Sequence, residues 1–111
     1  MLSSNGRFLI YASRFSSQRE RLRVVGSAVA RVARTLRLGI DVAQKAKLLS
    51  IYVYYKSDQG GEEIPVYCDW GKDGGEEDIY HAVKSVMFAL SFHPKHHSAL
   101  QAIRKELFTF M

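Results

Sequence analysis

Apolar and polar positions along the chain follow two periods, and the switches between them mark the predicted elements. The run "RFLIYA", residues 7–12, is short and apolar. It is bounded by Asn5-Gly6 and by the serine-rich "SRFSSQ", which predicts a first strand. From residue 19 the period becomes helical: Leu22, Val25, Val29, Val32 and Leu36 recur at three- and four-residue steps and share one narrow arc. Ser16 or Ser17 can cap this helix, with Glu20 completing a capping box, and Gly39 after Leu38 is its natural stop. Asp41 can then cap a short helix over 41–49, so that residues 19–49 read as one bent helix or two.

Two β-branched and aromatic runs follow, "SIYVYYK" and "EIPVYCDW", joined by a polar loop with a Gly-Gly pair, and together they predict a hairpin. Alternation puts Ile51, Val53 and Tyr55 on one face and Tyr52 and Tyr54 on the other. In the second run it sets Ile64, Val66, Cys68 and Trp70 against Pro65, Tyr67 and Asp69. Pro65 has no N–H to give a ladder, so its strand is an edge strand or begins there. Beyond "GKDGGEED", Ile79, Val83, Val86 and Leu90 return to helical spacing, with Glu76, Glu77 and Asp78 at the positive helix end. His93-Pro94 breaks this helix, and Pro94 opens a last one bearing Leu100, Ile103, Leu107 and Phe110. The pattern predicts a single α+β domain over residues 1–111, in the order β-α-β-β-α-α, with a small, mainly antiparallel sheet of three strands packed by helices.

Composition changes this picture little. A chain of 111 residues that is 47% hydrophobic and 12% aromatic can bury a core without a disulfide or metal, and is far from the composition of disordered chains. The single cysteine, Cys68, excludes an internal disulfide and points to a reduced, cytoplasmic compartment. Charges interrupt every apolar stretch, so no membrane span is expected. The serine- and arginine-rich start also fits an organellar transit peptide, against which stand the strand-like "RFLIYA" and the well-formed stripe of the basic helix.

Charge changes it more. Residues 1–40 carry eight arginines against Glu20 alone, and residues 57–80 carry eight acids against Lys72, within a net charge of +5. On the helix, Arg19, Arg23, Arg31, Arg34 and Arg37 gather on the flank opposite the apolar seam, while Arg21 lies at the seam's margin. Such a flank can bind an external polyanion, meet the acidic block of its own chain or of a second copy, or stay solvated. The leading expectation is a small basic, non-enzymatic module binding an anionic partner, RNA or DNA, through these arginines. The alternative is a self-assembling homo-dimer or larger oligomer in which the basic helix meets the acidic block.

No constellation supplies catalysis, and neither a metal nor a cofactor is expected. "HPKHH" brings His93, His96 and His97 together, but Pro94 spoils the helical spacing and no Cys or carboxylate completes a ligand set. "DWGKDGGEEDIY" places Tyr80 where a calcium loop needs a bidentate Glu. Cys68 sits beside Asp69, the wrong sign for a reactive thiolate, and reads as a small core residue. Tyr52, Tyr54 and Tyr67, joined by Tyr11, are the candidate stacking residues for single-stranded RNA. Helices on both sheet faces, the preferred expectation, make them ordinary core instead. A helix-turn-helix centred on Gly39 fits poorly, with Thr35 and Lys45 where small or apolar contacts are needed.

Overall fold

The computed structural model describes residues 6–13, 18–45, 48–58, 61–70 and 74–92. In chain order these form β1 (Arg7–Ser13), α1 (Arg19–Leu36), β2 (Gly39–Lys45), β3 (Ile51–Lys56), β4 (Ile64–Asp69) and α2 (Glu76–Leu90). The class is α+β, as the pattern predicts. The order over the described residues is β-α-β-β-β-α, and the sheet has four strands ordered β2-β1-β3-β4. It is mixed: β2 runs parallel to β1, while β1–β3 and β3–β4 are antiparallel.

Two of the sequence expectations about residues 39–49 are corrected. Residues 39–45 are a strand, not a second helix, so the chain makes a β-α-β crossover through α1 and no helix-turn-helix exists there. The stop residue of α1 is Arg37, held in the left-handed region at φ 58°, its N–H donating to the Ala33 carbonyl. Gly39 instead begins β2, where its N–H donates to the Gly6 carbonyl at 3.0 Å. Gly6 itself has φ +131°, and a Cβ there would lie 2.6 Å from the Lys56 carbonyl oxygen, so only glycine fits at this point. At the other end of α1 the N-cap residue is Gln18, whose side chain accepts from the Ser13 N–H at 2.7 Å and donates to the Leu48 carbonyl at 2.9 Å. The expected caps Ser16 and Ser17 lie outside the described residues, as do the helix expected to open at Pro94 and His93, His96 and His97.

Both helices lie on one side of the sheet. Phe8, Ile10 and Ala12 of β1, Ile51, Val53 and Tyr55 of β3, and Ile64 and Val66 of β4 form one buried cluster. It is completed by Val25, Ala28, Val29, Val32, Ala33 and Leu36 of α1 and by Ile79, Val83 and Met87 of α2. Burial of this much apolar surface is the main force holding the layers together, at roughly 1.5–3 kcal/mol for each large side chain removed from water. α2 starts where the sequence predicts, and its Asp78 carboxylate accepts the Gly75 N–H at 3.1 Å. No helix among the described residues is long and apolar enough to cross a membrane.

β4 is an edge strand, consistent with Pro65, but its alternation is broken. Val53 faces Tyr67 while the next residue, Tyr54, faces Pro65, which leaves Val66 as the extra residue of a β-bulge. The bulge reverses every side chain beyond it. Tyr67 and Asp69 therefore turn to the helix side, and Cys68 stands opposite Tyr52 on the other face. Cys68 is half-buried rather than core, and Trp70 is 66% exposed.

Candidate functional site

The arginines of α1 divide into two sets. Arg21, at the seam's margin, reaches across to β4. Its Nε and Nη2 donate to the two oxygens of Asp69 at 3.0 and 2.6 Å, and its Nη1 donates to the Gly74 carbonyl at 3.1 Å. The Asp69 side chain is only 1% exposed and also accepts from the Tyr67 hydroxyl. A buried carboxylate held by a two-pronged guanidinium is strong when intact and costly when broken. Arg31 pairs with Glu76 and Glu77 at 3.2 and 2.7 Å, and its guanidinium carbon lies 4.0 Å from the centre of the Tyr80 ring. The hydrogen bond from Arg31 holds the Glu77 carboxyl below the usual range. Ser27 adds a hydrogen bond to Glu76 at 2.6 Å. The basic and acidic blocks thus meet within one chain at these residues, joining α1 to β4 and α2.

The second set forms no ion pair with the acidic block among the described residues. Arg23 pairs with Glu20 on its own helix, a hydrogen bond that depresses the Glu20 carboxyl, and it also feels the Glu76 charge. Arg19, Arg34 and Arg37 form no ion pair among the described residues. On α1, Arg23 and Arg34 lie on its outer side, about 16 Å apart along the axis at 1.5 Å per residue.

The other face of the sheet carries the tyrosines. Among the described residues no helix covers it; the further helix expected from Pro94 onward lies outside them. In register, Ala43, Tyr11, Tyr52 and Cys68 make one row across the four strands, and Asp41, Leu9, Tyr54 and Pro65 make the next. Tyr11 and Tyr54 meet edge to face with ring centres 5.5 Å apart, and Lys45 Nζ lies 5.4 Å from the Tyr11 ring centre. Tyr11, Tyr52, Tyr54, Lys45, Leu48 and Glu63 line an open concavity of about 780 Å³. Arg7, Asp41, Lys56 and Asp58 surround a smaller hollow at the far end of the same face. Of the candidate stacking residues, Tyr52 and Tyr54 sit here with Tyr11. Tyr67 does not, because the bulge turns it toward the core, where it packs against the buried cluster.

Chemically the concavity offers aromatic faces, a cation at one rim and a carboxylate at the other. The Tyr11 hydroxyl donates to Glu63 at 2.5 Å, and this bond, with burial and the Glu63 charge, pushes the phenol above its usual range. The result is a fixed hydroxyl that does not ionise near neutrality.

The sequence already held the signal for β2, since Ile40 and Val42 alternate with Gly39, Asp41 and Ala43 in the period of a strand. It held none for the Arg21–Asp69 pair, because the acid reaches the core only through the bulge. Compared with protein-family models, with curated proteins and with solved structures, the chain has no match.

Proposed function

We propose that this protein is a non-enzymatic module that binds single-stranded nucleic acid, and that the contact surface is the tyrosine face of the sheet. The observation that carries this reading is the half-buried group Tyr11, Tyr52 and Tyr54, gathered in an open concavity with Lys45 at its rim. Bases stack on tyrosine rings at roughly 1–3 kcal/mol each, whatever their sequence, because every base has a π-face. A duplex hides those faces and fits an uncovered sheet less well. The Glu63 carboxylate is placed to accept from an exocyclic amino group. Lys45 supplies positive charge at the rim of the rings, while at the far end Arg7 is already paired with Asp41 at 2.6 Å and Lys56 shares its hollow with Asp58.

The arginine flank has a supporting part in this reading. Arg31 is already committed to Glu76 and Glu77, so the cations left facing outward are Arg19, Arg23, Arg34 and Arg37. They lie on the helix layer, away from the rings, and with the net charge of +5 they draw a polyanion in by long-range attraction. The test is titration of a labelled single-stranded RNA or DNA against the wild type, a Tyr52→Ala/Tyr54→Ala variant and an Arg23→Gln/Arg34→Gln variant. Loss of two stacking contacts should weaken binding at least about thirtyfold. Loss of the two arginines should flatten the salt dependence while leaving stacking in place. Unchanged affinity in the tyrosine variant, or equal affinity for duplex, overturns the proposal.

A further inference from the structure

The β2 edge of the sheet is bare among the described residues: β2 pairs with β1 on one side and with no strand on the other. It is also exposed on both faces, with Ile40 at 36% and Val42 at 53% on the helix side and Asp41 exposed on the tyrosine side. An unpaired strand with such side chains is a template for another strand, and proteins normally blunt it with covering elements or with charges that repel a second copy.

Here the charges do the reverse. Asp41, Ala43 and Lys45 follow one another on the same face of β2, and the Asp41 carboxylate, which accepts from Arg7 of β1 at 2.6 Å through one oxygen, keeps 55% of its side chain exposed toward the edge. An antiparallel copy centred on Ala43 sets Asp41 directly opposite the partner's Lys45, and Lys45 opposite the partner's Asp41. Opposite charges directly across a strand pair are favourable, and like charges there are not. On the helix side the same register puts Val42 diagonally beside the partner's Val42, so that each covers apolar surface of the other. The pairing also keeps the basic ends of α1 apart, because the Gly39 ends of the two strands are then about 27 Å from one another at 3.4 Å per residue.

From the bare edge, its exposed valine and isoleucine, and its self-complementary charges, we propose that β2 pairs antiparallel with β2 of a second copy, extending the sheet to eight strands across a two-fold axis. The inference does not rest on the nucleic-acid reading. It has one consequence for it: the two tyrosine faces become one continuous surface, with the partner's Asp41 beside Lys45 at the rim of the concavity. Phosphate contacts then pass from that rim to Lys56 at the far end of the face, and two linked faces gain by effective concentration on one long strand.

Charge reversal tests the register. The measurement is absolute mass in solution from about 1 to 100 µM, for the wild type, for Asp41→Lys, for Lys45→Asp, and for an equimolar mixture of the two variants. The wild type should reach twice the 12.6 kDa of one chain. Each variant alone faces two like-charge contacts and should dimerise at least about tenfold more weakly. The mixture should restore the dimer as a heterodimer, because one chain then offers two lysines and the other two aspartates. Circular dichroism of each variant establishes that it is folded, and the mixture serves as a control internal to the pair. A wild-type mass of one chain at 100 µM overturns the proposal. So does a dimer that both variants retain at wild-type strength, which places the contact elsewhere.

Discussion

On the helix side of the sheet Phe8, Ile10, Val53 and Tyr55 expose nothing. One residue further along the same strands, Leu9, Tyr11, Tyr52 and Tyr54 remain half-buried. The two faces share a backbone, so the difference comes from what lies against them: α1 and α2 seal one, and no described helix seals the other. The ion pairs divide the same way. Arg21 and Asp69 are enclosed on the sealed side, with 21% and 1% of their side chains exposed, whereas Arg23 and Glu20 are 73% and 71% exposed. The sealed face is where this protein keeps its stability, and the face that no described helix covers is where substitutions should be tolerated.

Truncation on the two faces gives the sharpest contrast. Phe8→Ala should cost about 3–5 kcal/mol in urea unfolding through lost burial and a cavity. Tyr54→Ala, on the other face of the neighbouring strand, should cost about 1 kcal/mol. Similar losses at both positions would mean that the tyrosine face is packed after all.

The ion pairs give the next contrast. Arg21→Ala takes the two-pronged guanidinium from a carboxylate that is 1% exposed and should cost about 3 kcal/mol. Arg23→Ala breaks a pair in full solvent and should leave the unfolding midpoint where it was. An Arg21 variant as stable as the wild type would remove the buried pair from any account of the fold. Gly6→Ala tests the seam where β1 meets the end of α1, since the positive φ and the close Lys56 carbonyl should together cost about 2 kcal/mol. Gly26→Ala, where a Cβ would meet nothing within 4 Å, should be neutral or stabilising by comparison.

The smallest effects concern pH. Glu77 is depressed by the Arg31 hydrogen bond, so its pairing contributes stability above the carboxyl value of the unfolded chain. That contribution is lost as pH falls through the lower folded value. Glu77→Gln should therefore flatten the acid limb of the stability curve and leave the neutral region nearly unchanged; an acid limb identical to the wild type would contradict the pairing. Tyr11 has the opposite sign. Its raised phenol favours the fold below the ordinary tyrosine value, and the advantage fades as pH rises through the folded value. Glu63→Gln should lower the Tyr11 titration seen by ultraviolet absorption, and no movement would mean that the hydrogen bond is not what holds it.

The elements legible in the amino-acid order are those whose period is unbroken. The seam Val25, Val29, Val32, Leu36 specified α1, the alternation of Ile51, Val53, Tyr55 specified β3, and the acids before Ile79 marked the start of α2. These are local signals, and local geometry is enough to satisfy them. Tertiary structure alone decided three things. It settled residues 39–45, whose alternation of Ile40 and Val42 also fits a strand, against the competing helix, because the parallel edge of β1 offered ladder partners. It inserted Val66 as a bulge, and that one extra residue exchanged Cys68 for Tyr67 and carried Asp69 inward to Arg21. It also placed both helices on one side of the sheet, leaving Tyr11, Tyr52 and Tyr54 uncovered by them. A single strand's alternation fixes which residues share a face, but only the packing of distant elements decides which of its two faces is buried.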